Sequence, residues 1–92
     1  MADQLLAWTA EAWNDYLYWQ GQDCRTQDSR TLKRLNRLLT DVMRSPFEGI
    51  GKPEPLRGDL AAYWSRRIDR EHCLVYRVTQ DRIVIAQCRY LY

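Results

Sequence analysis

Ninety-two residues suit one compact domain over residues 1–92 and exclude a two-domain chain, while 46% hydrophobic and 12% aromatic residues exclude a disordered one. No apolar run approaches the roughly 20 residues that cross a bilayer, and the first residues lack the pattern of a secretion signal, so we expect a cytoplasmic protein that contacts no membrane. The formal net charge is +2, but the first 24 residues carry four acidic and no basic side chains, and the remaining 68 carry 14 basic and 8 acidic ones.

The first half of the chain predicts a short strand followed by two helices. Residues 4–8 suit an opening strand, and Thr9 is a candidate N-cap for a first helix that ends near residue 22. The apolar stripe of this helix comprises Ala12, Trp13, Tyr16, Leu17 and Gln20. Residues 21–27 are predicted to form a turn, and a second helix runs from Asp28 until Pro46 stops it. Apolar side chains recur on the second helix at a 3.6-residue period: Leu32, Leu35, Leu38, Leu39, Val42 and Met43.

The second half predicts a loop followed by a sheet. The stretch 45–59 holds all three prolines and three of the four glycines, which is typical of a constrained loop. Three strand-like runs, at 61–68, 72–78 and 82–90, are predicted to pair as an antiparallel meander. In the middle run, Leu74, Tyr76 and Val78 are expected to face the helices, and Cys73, Val75 and Arg77 to face a groove. The predicted fold is therefore α+β, with a short N-terminal strand and two helices packed on a twisted antiparallel sheet.

The cysteines and the missing motifs limit the chemistry that this chain can perform. Cys24, Cys73 and Cys88 form no C-x-x-C pair and leave one thiol over if two join, which favours reduced thiols over a disulfide framework or a zinc site. The sequence also has no glycine-rich phosphate loop and no H-E-x-x-H motif. It therefore predicts neither a metal nor a bound cofactor.

Carboxylates and arginines remain as the candidate functional groups. They crowd the loop and the strand that follows it: Glu48, Lys52, Glu54, Arg57, Arg66 and Arg67. A carboxylate among arginines could take the proton of an RNA 2′-hydroxyl and stabilise charge on the phosphate, and Tyr63, Trp64, Tyr90 or Tyr92 could stack on bases.

Each of these side chains also has an ordinary structural interpretation. Trp64 could belong to the core, and Arg66 could form a salt bridge with Asp59 or Asp69. His72, the only histidine, is interpreted as a surface or edge residue rather than a catalytic base. Residue types alone therefore indicate RNA binding only weakly.

Five segments taken together indicate the function far more specifically than the residue types do: residues 13–19, 46–56, 63–68, 71–76 and 88–92. With them the sequence resembles, over nearly its whole length, the YoeB (Txe) toxins of the RelE/ParE superfamily. The resemblance implies a microbial-ribonuclease-like α+β fold and the toxin of a type II toxin–antitoxin system, which enters the ribosomal A site and cleaves mRNA there by 2′-hydroxyl attack. It also implies a YefM-like antitoxin as partner and, usually, a homodimer.

The resemblance assigns roles to four residues. Glu54 matches the candidate general base, and Lys52 and Arg67 match residues near the phosphate. Tyr92 matches a tyrosine that helps to hold the substrate.

Two positions depart from the family pattern. Cys73 stands where the pattern has a phosphate-clamping arginine, and Leu91 stands where it has the histidine assigned as general acid. A neutral thiol donates only weak hydrogen bonds, and leucine has no proton to give. We therefore expect strongly reduced cleavage by this chain. Inactivation of a toxic protein by design or selection is the favoured explanation, because Lys52, Glu54, Arg67 and Tyr92 all remain, and a natural chain that binds without cutting is the other.

Two rival functions stay open. The first is a binding module that occupies the ribosome, or only captures its antitoxin, without chemistry. The second is the ParE branch of the superfamily, which shares the fold and acts on gyrase. Residues 52–56 and 89–92 favour the YoeB branch over the ParE branch.

Overall fold

The computed structural model describes residues 4–26 and 28–90. Its strands and helices are β1 (Leu5–Trp8), α1 (Ala10–Thr26), α2 (Arg30–Arg44), β2 (Glu54–Pro55), β3 (Trp64–Arg67), β4 (Cys73–Val78) and β5 (Arg82–Gln87). A short 3₁₀ helix at Gly58–Leu60 precedes β3. Within these residues, neither α-helix has the length and apolar character needed to cross a membrane.

The strands form one mixed sheet in the order β1-β5-β4-β3-β2. The predicted antiparallel meander of β3, β4 and β5 is confirmed, and β2, a two-residue strand inside the predicted loop, extends it by pairing with β3. The sheet is not wholly antiparallel as predicted, because β1 pairs with β5 in parallel. This pairing joins the N-terminal and C-terminal parts of the described chain. The sequence of an isolated four-residue strand does not indicate whether the strand will pair in parallel or antiparallel.

The first helix is longer than the sequence predicts. Its start is confirmed, because the Ala12 N–H donates to Thr9 Oγ1 at 3.1 Å, as in an N-cap. The predicted end near residue 22 and the predicted turn at 21–27 are wrong, since the helix continues to Thr26. Gly21 lies inside it, and a Cβ at this position would enter open space. A single helical glycine costs only about 0.5–1 kcal/mol, which tertiary packing readily outweighs.

Both helices pack on the same face of the sheet around one hydrophobic core. The predicted apolar face of α2 is confirmed for Leu35, Leu38, Leu39 and Val42, while Met43 is exposed. On α1 the buried residues are Ala12 and Trp19, and the expected stripe residues Trp13 and Leu17 are 45% and 43% exposed. The sheet contributes Leu74, Tyr76, Ile83 and Ile85, so the face of β4 that was expected to meet the helices does so.

The three thiols differ in exposure, which predicts their order of reaction. Cys24 is exposed, whereas Cys73 and Cys88 are buried. Burial raises the pKa of the Cys73 thiol, and it raises the pKa of Cys88 to about 12. We expect one rapid equivalent of reaction with DTNB near pH 8 in the native protein and two more after denaturation, because the thiolate is the reactive form and the raised pKa values keep Cys73 and Cys88 mostly protonated.

Absorbance of the released thionitrobenzoate measures this prediction. The variant Cys24→Ser should lose the rapid phase and keep the other two equivalents. Two or three rapid equivalents in the native protein would contradict the burial of Cys73 or Cys88.

Candidate active site

A buried arginine on β3 holds the loop that leads to β2. Arg66 is fully buried, and each of its five N–H groups has an acceptor. Nε donates to the Tyr76 hydroxyl at 3.1 Å. The other four N–H groups bind the Asp41 carboxylate and the carbonyls of Ser45, Glu48 and Ile50. Three backbone carbonyls of residues 45–50 are thus bound to one rigid group inside the fold.

Asp41, on the buried face of α2, completes this network. Its Oδ2 accepts from Arg66 at 2.6 Å and from the Ile50 N–H at 2.9 Å, and its Oδ1 accepts from Arg44. These donors, with Arg44 as the largest contributor and Arg66 next, hold the pKa of Asp41 well below its usual range. The alternative salt bridge of Arg66 with Asp59 or Asp69 is wrong, since its ionic partner is Asp41.

Sequence reasoning missed Asp41 and the role of Arg66, although one signal was available. Asp41 lies between Leu38 and Val42, at positions that share the apolar face of α2, and a carboxylate on such a face needs a buried cationic partner. The apolar pattern of α2 thus indicates that Asp41 needs a buried cationic partner, but it does not indicate which of the twelve arginines supplies it.

A tight turn carries the chain from this network to β2. Gly51 has a φ of 83°, its carbonyl accepts the Arg67 N–H at 2.7 Å, and a Cβ there would press on Leu38 and Arg66. Lys52 follows with a φ of 54°, which is uncommon for a residue other than glycine. The hydrogen bond between Gly51 and Arg67 therefore brings Lys52 next to the end of β3, where its side chain is exposed.

The sheet register brings three of the predicted site residues to one face. Glu54 is opposite Ser65, Arg67 is two residues farther along β3, and Arg67 is opposite Cys73 on β4. Because side chains alternate along a strand and Arg66 faces the core, these residues belong to the other face, which we call the open face. Glu54 and Arg67 are both exposed there.

Cys73 lies on β4, opposite Arg67 and separated by β3 from the strand that carries Glu54, and it is nearly covered. It belongs to the open face, as predicted, yet is only 4% exposed. Its pKa is raised mainly by burial, with Arg67 lowering it and Glu54 and Asp69 raising it. The thiol is therefore uncharged at neutral pH, and both Glu54 and Arg67 are near enough to influence it.

The remaining predicted residues divide between the open face, the core and the surface. The Arg77 guanidinium lies 5.9 Å from the ring centroid of Tyr63, and Arg77 belongs to the open face because it alternates with Tyr76 along β4. Trp64 packs against the core and against Phe47, so its structural interpretation is confirmed. Glu48 and Arg57 are exposed. Leu91 and Tyr92 lie outside the described residues. Across residues 4–26 and 28–90, no group of three His, Cys, Asp or Glu side chains could hold a metal ion.

Comparison with known sequences identifies the family of this chain. The sequence model described as "YoeB-like toxin of bacterial type II toxin-antitoxin system" matches residues 8–92. Toxin YoeB of Escherichia coli K12 is 54% identical over 87 residues, which cover 95% of this chain and 98% of that protein. Toxin YoeB of Streptomyces coelicolor is 51% identical over 87 residues with the same coverage.

Solved structures show the same relationship. A YoeB/ParE toxin from Agrobacterium tumefaciens has a TM-score of 0.84 at 45% identity, covering 97% of this chain and 100% of that chain. The YoeB dimer from Staphylococcus aureus gives 0.82, and the heterotetrameric YoeB–YefM toxin–antitoxin complex from the same organism gives 0.81, both at 41% identity over 99% of this chain and 100% of the matched chain. The implied α+β fold is confirmed, and the chain belongs to the YoeB-like toxins of bacterial type II toxin–antitoxin systems.

Proposed function

We propose that this toxin is a cytoplasmic, ribosome-dependent endoribonuclease that cleaves mRNA in the A site by 2′-hydroxyl attack, and that the present chain cleaves at a strongly reduced rate. The observation that carries the proposal is the register of β2, β3 and β4, which gathers Glu54, Arg67 and Cys73 on the open face. A carboxylate and a guanidinium on one exposed face can act on a single phosphodiester.

Glu54 would be the general base and take the proton of the attacking 2′-hydroxyl. Arg67 and Lys52 would stabilise the charge that grows on the phosphate, Arg67 through paired N–H donors and Lys52 as a compact charge. The Gly51–Arg67 hydrogen bond supports this arrangement, because it fixes the backbone beside both cations. Tyr92 would help to hold the substrate.

The reduced rate follows from the chemistry of Cys73 and Leu91. The Cys73 thiol is buried, its pKa is raised, and it carries no positive charge to place against a phosphate. Leucine at position 91 has no proton for the leaving 5′-oxygen. Binding through the remaining cations does not require either missing group, so we expect the chain to retain affinity for its target.

The proposed partners are a YefM-like antitoxin, the ribosome with its mRNA, and a second copy of the chain. The antitoxin and the homodimer are supported by the Staphylococcus aureus structures, which contain a YoeB–YefM complex and a YoeB dimer. The alternative function is a binding module that captures ribosome or antitoxin and never cuts. Equilibrium binding to purified ribosomes and to a YefM-like antitoxin, followed by long incubation with translated mRNA, separates the two.

The variant Glu54→Gln tests the role of the carboxylate in a chain whose positions 73 and 91 carry arginine and histidine. We expect the cleavage rate to fall by roughly 10²–10⁴, mainly in kcat, because the amide cannot accept the hydroxyl proton. Mapping of mRNA cut sites in a purified translation system measures the rate.

The matched control is Glu48→Gln, which neutralises another exposed carboxylate of the preceding loop. Only the backbone carbonyl of Glu48 is bound to Arg66, so this variant should cleave at the parent rate. Equal losses in both variants would indicate a general charge effect and remove Glu54 from the mechanism.

A further inference from the structure

The segment that follows β5 is bound to α1 at its first residue. The Cys88 N–H donates to Asp15 Oδ2 at 3.1 Å, and the Cys88 carbonyl accepts from the indole Nε1 of Trp19 at 2.8 Å. Cys88 is fully buried and Trp19 is 8% exposed. Both backbone groups of residue 88 are therefore anchored to one helix.

Tyr90, two residues later, is held from the other side by the start of β4. Its N–H donates to Nδ1 of His72 at 2.7 Å, and its carbonyl accepts the Cys73 N–H at 2.9 Å. The Gln87 side chain donates to the same carbonyl at 3.1 Å. Tyr90 has a φ of 67°, in the left-handed region that a tyrosine rarely occupies unless its surroundings impose it.

His72 is itself fixed in orientation and tautomer. Its ring meets the Trp19 ring edge-on, with 4.8 Å between centroids and an interplanar angle of 85°. Since Nδ1 accepts the Tyr90 N–H, that nitrogen carries no proton and the ring proton lies on Nε2. His72, interpreted from the sequence as a surface or edge residue, thus connects the core residue Trp19 to the backbone of Tyr90.

We infer that His72 is a positioning residue, which uses Nδ1 to hold Tyr90 in its left-handed conformation and so fixes the backbone to which residues 91 and 92 are attached. The inference rests on the proposed function, because the resemblance gives those two positions to the general acid and the substrate-holding tyrosine. His72 touches no reacting atom and acts through Tyr90. Its neighbour Cys73 contributes only a backbone N–H, which any residue at position 73 except proline keeps.

Two variants of the full chain distinguish the effect of the hydrogen-bond acceptor from the effect of the bulk of the ring. His72→Asn retains an acceptor, since its Oδ1 is attached to Cγ as Nδ1 is, whereas His72→Leu has similar bulk and no acceptor. Hydrogen exchange followed by NMR should show at least a tenfold faster exchange of the Tyr90 amide in His72→Leu and near-parent exchange in His72→Asn. The Tyr76 amide in the interior of β4 reports global stability and should change equally little in both.

A third variant keeps the test decisive if His72→Leu does not fold. His72→Gln is polar but places its carbonyl one bond farther out, so its Tyr90 amide should exchange faster than in His72→Asn. His72→Asn keeps a correctly placed acceptor, whereas His72→Leu and His72→Gln do not. The same exchange rate of the Tyr90 amide in all three variants would overturn the inference.

Cleavage gives the second readout, in the chain with arginine at 73 and histidine at 91. We expect His72→Leu to lower kcat at least tenfold with little change in KM for ribosomes, and His72→Asn to recover most of the loss. Unchanged kcat in His72→Leu would overturn the inference. If the parent of this series does not cleave at all, the proposed function fails, and the amide exchange alone then decides whether His72 holds Tyr90.

Discussion

Replacing Cys73 by arginine and Leu91 by histidine together is expected to raise the rate of mRNA cleavage on the ribosome by at least 10²-fold, and by as much as roughly 10⁴-fold. A positioned general acid contributes about 10²–10⁴ in rate, and a donor that stabilises developing negative charge contributes about 10²–10³. The two effects are not additive, because both groups act on the same transition state. Each single replacement should therefore recover only part of the gain.

The structure shows what an arginine at position 73 must do. Cys73 is 4% exposed, so the longer side chain has to extend along the open face until its guanidinium reaches solvent. There it would join Arg67 on the opposite position of β3 and lie near Glu54, whose charge offsets the repulsion between two guanidinium groups. The Cys73 N–H bond to Tyr90 belongs to the backbone and survives the substitution.

Cut sites in mRNA, mapped in a purified translation system, measure this prediction. Cys73→Met combined with Leu91→Met is the matched control, since it changes both side chains without supplying a charge or a titratable proton. Thermal unfolding of each variant checks that the fold is retained. A restored chain that binds ribosomes but leaves mRNA intact at long times would refute the site and support the binding module instead.

Arg66→Leu is expected to lower the free energy of unfolding by about 3–5 kcal/mol, the range found when one partner of a buried ion pair is removed. The loss is a large fraction of the roughly 5–15 kcal/mol that stabilises a typical domain. It leaves the Asp41 carboxylate without its buried partner, and three loop carbonyls without donors. The loop 45–50 that leads to Lys52 and Glu54 should loosen first.

Urea denaturation measures the change, and two arginine variants serve as comparisons. Arg70→Leu alters an exposed arginine and should change the stability by no more than about 0.5 kcal/mol. Arg66→Lys keeps the charge but offers three donors in place of five, so it should fall between the parent and Arg66→Leu. Parent-like stability of Arg66→Leu would mean that the five hydrogen bonds contribute little.

The same network predicts how the effect of Arg66→Leu depends on pH. The pKa of Asp41 is depressed in the folded state, first by Arg44 and then by Arg66, so its stabilising contribution is complete above the unfolded value of about 3.9. The contribution is lost as the pH falls below that value toward the folded pKa. The stability difference between parent and variant should therefore be largest near neutral pH and shrink on acidification, and a constant difference would contradict this assignment.

The structural features that depend only on residues close together in the sequence were predictable. The 3.6-residue period of α2 and the alternation along β4 depend on neighbours in sequence, and each predicted an element that the structure contains. The turn residues of 45–59 predicted a loop, within which the structure adds β2 and the short 3₁₀ helix. The alternation in β4 also predicted that Cys73 lies opposite the helices. The roles of Glu54, Lys52 and Arg67 came from resemblance to a family, and the register of the strands adds only that Glu54 and Arg67 share a face with Cys73.

Contacts between distant parts of the chain were not predictable from such patterns. The parallel pairing of β1 with β5, the Asp41–Arg66 ion pair and the His72–Tyr90 hydrogen bond each join residues 18 or more positions apart. Asp41 also pairs with Arg44, three residues along its own helix, but many arginines could have supplied its buried partner by chemistry, and packing alone selected Arg66. The period of the apolar residues indicates which side of a helix or strand is buried. The residues that this side contacts depend on how all the helices and strands pack together, and only the tertiary structure determines them.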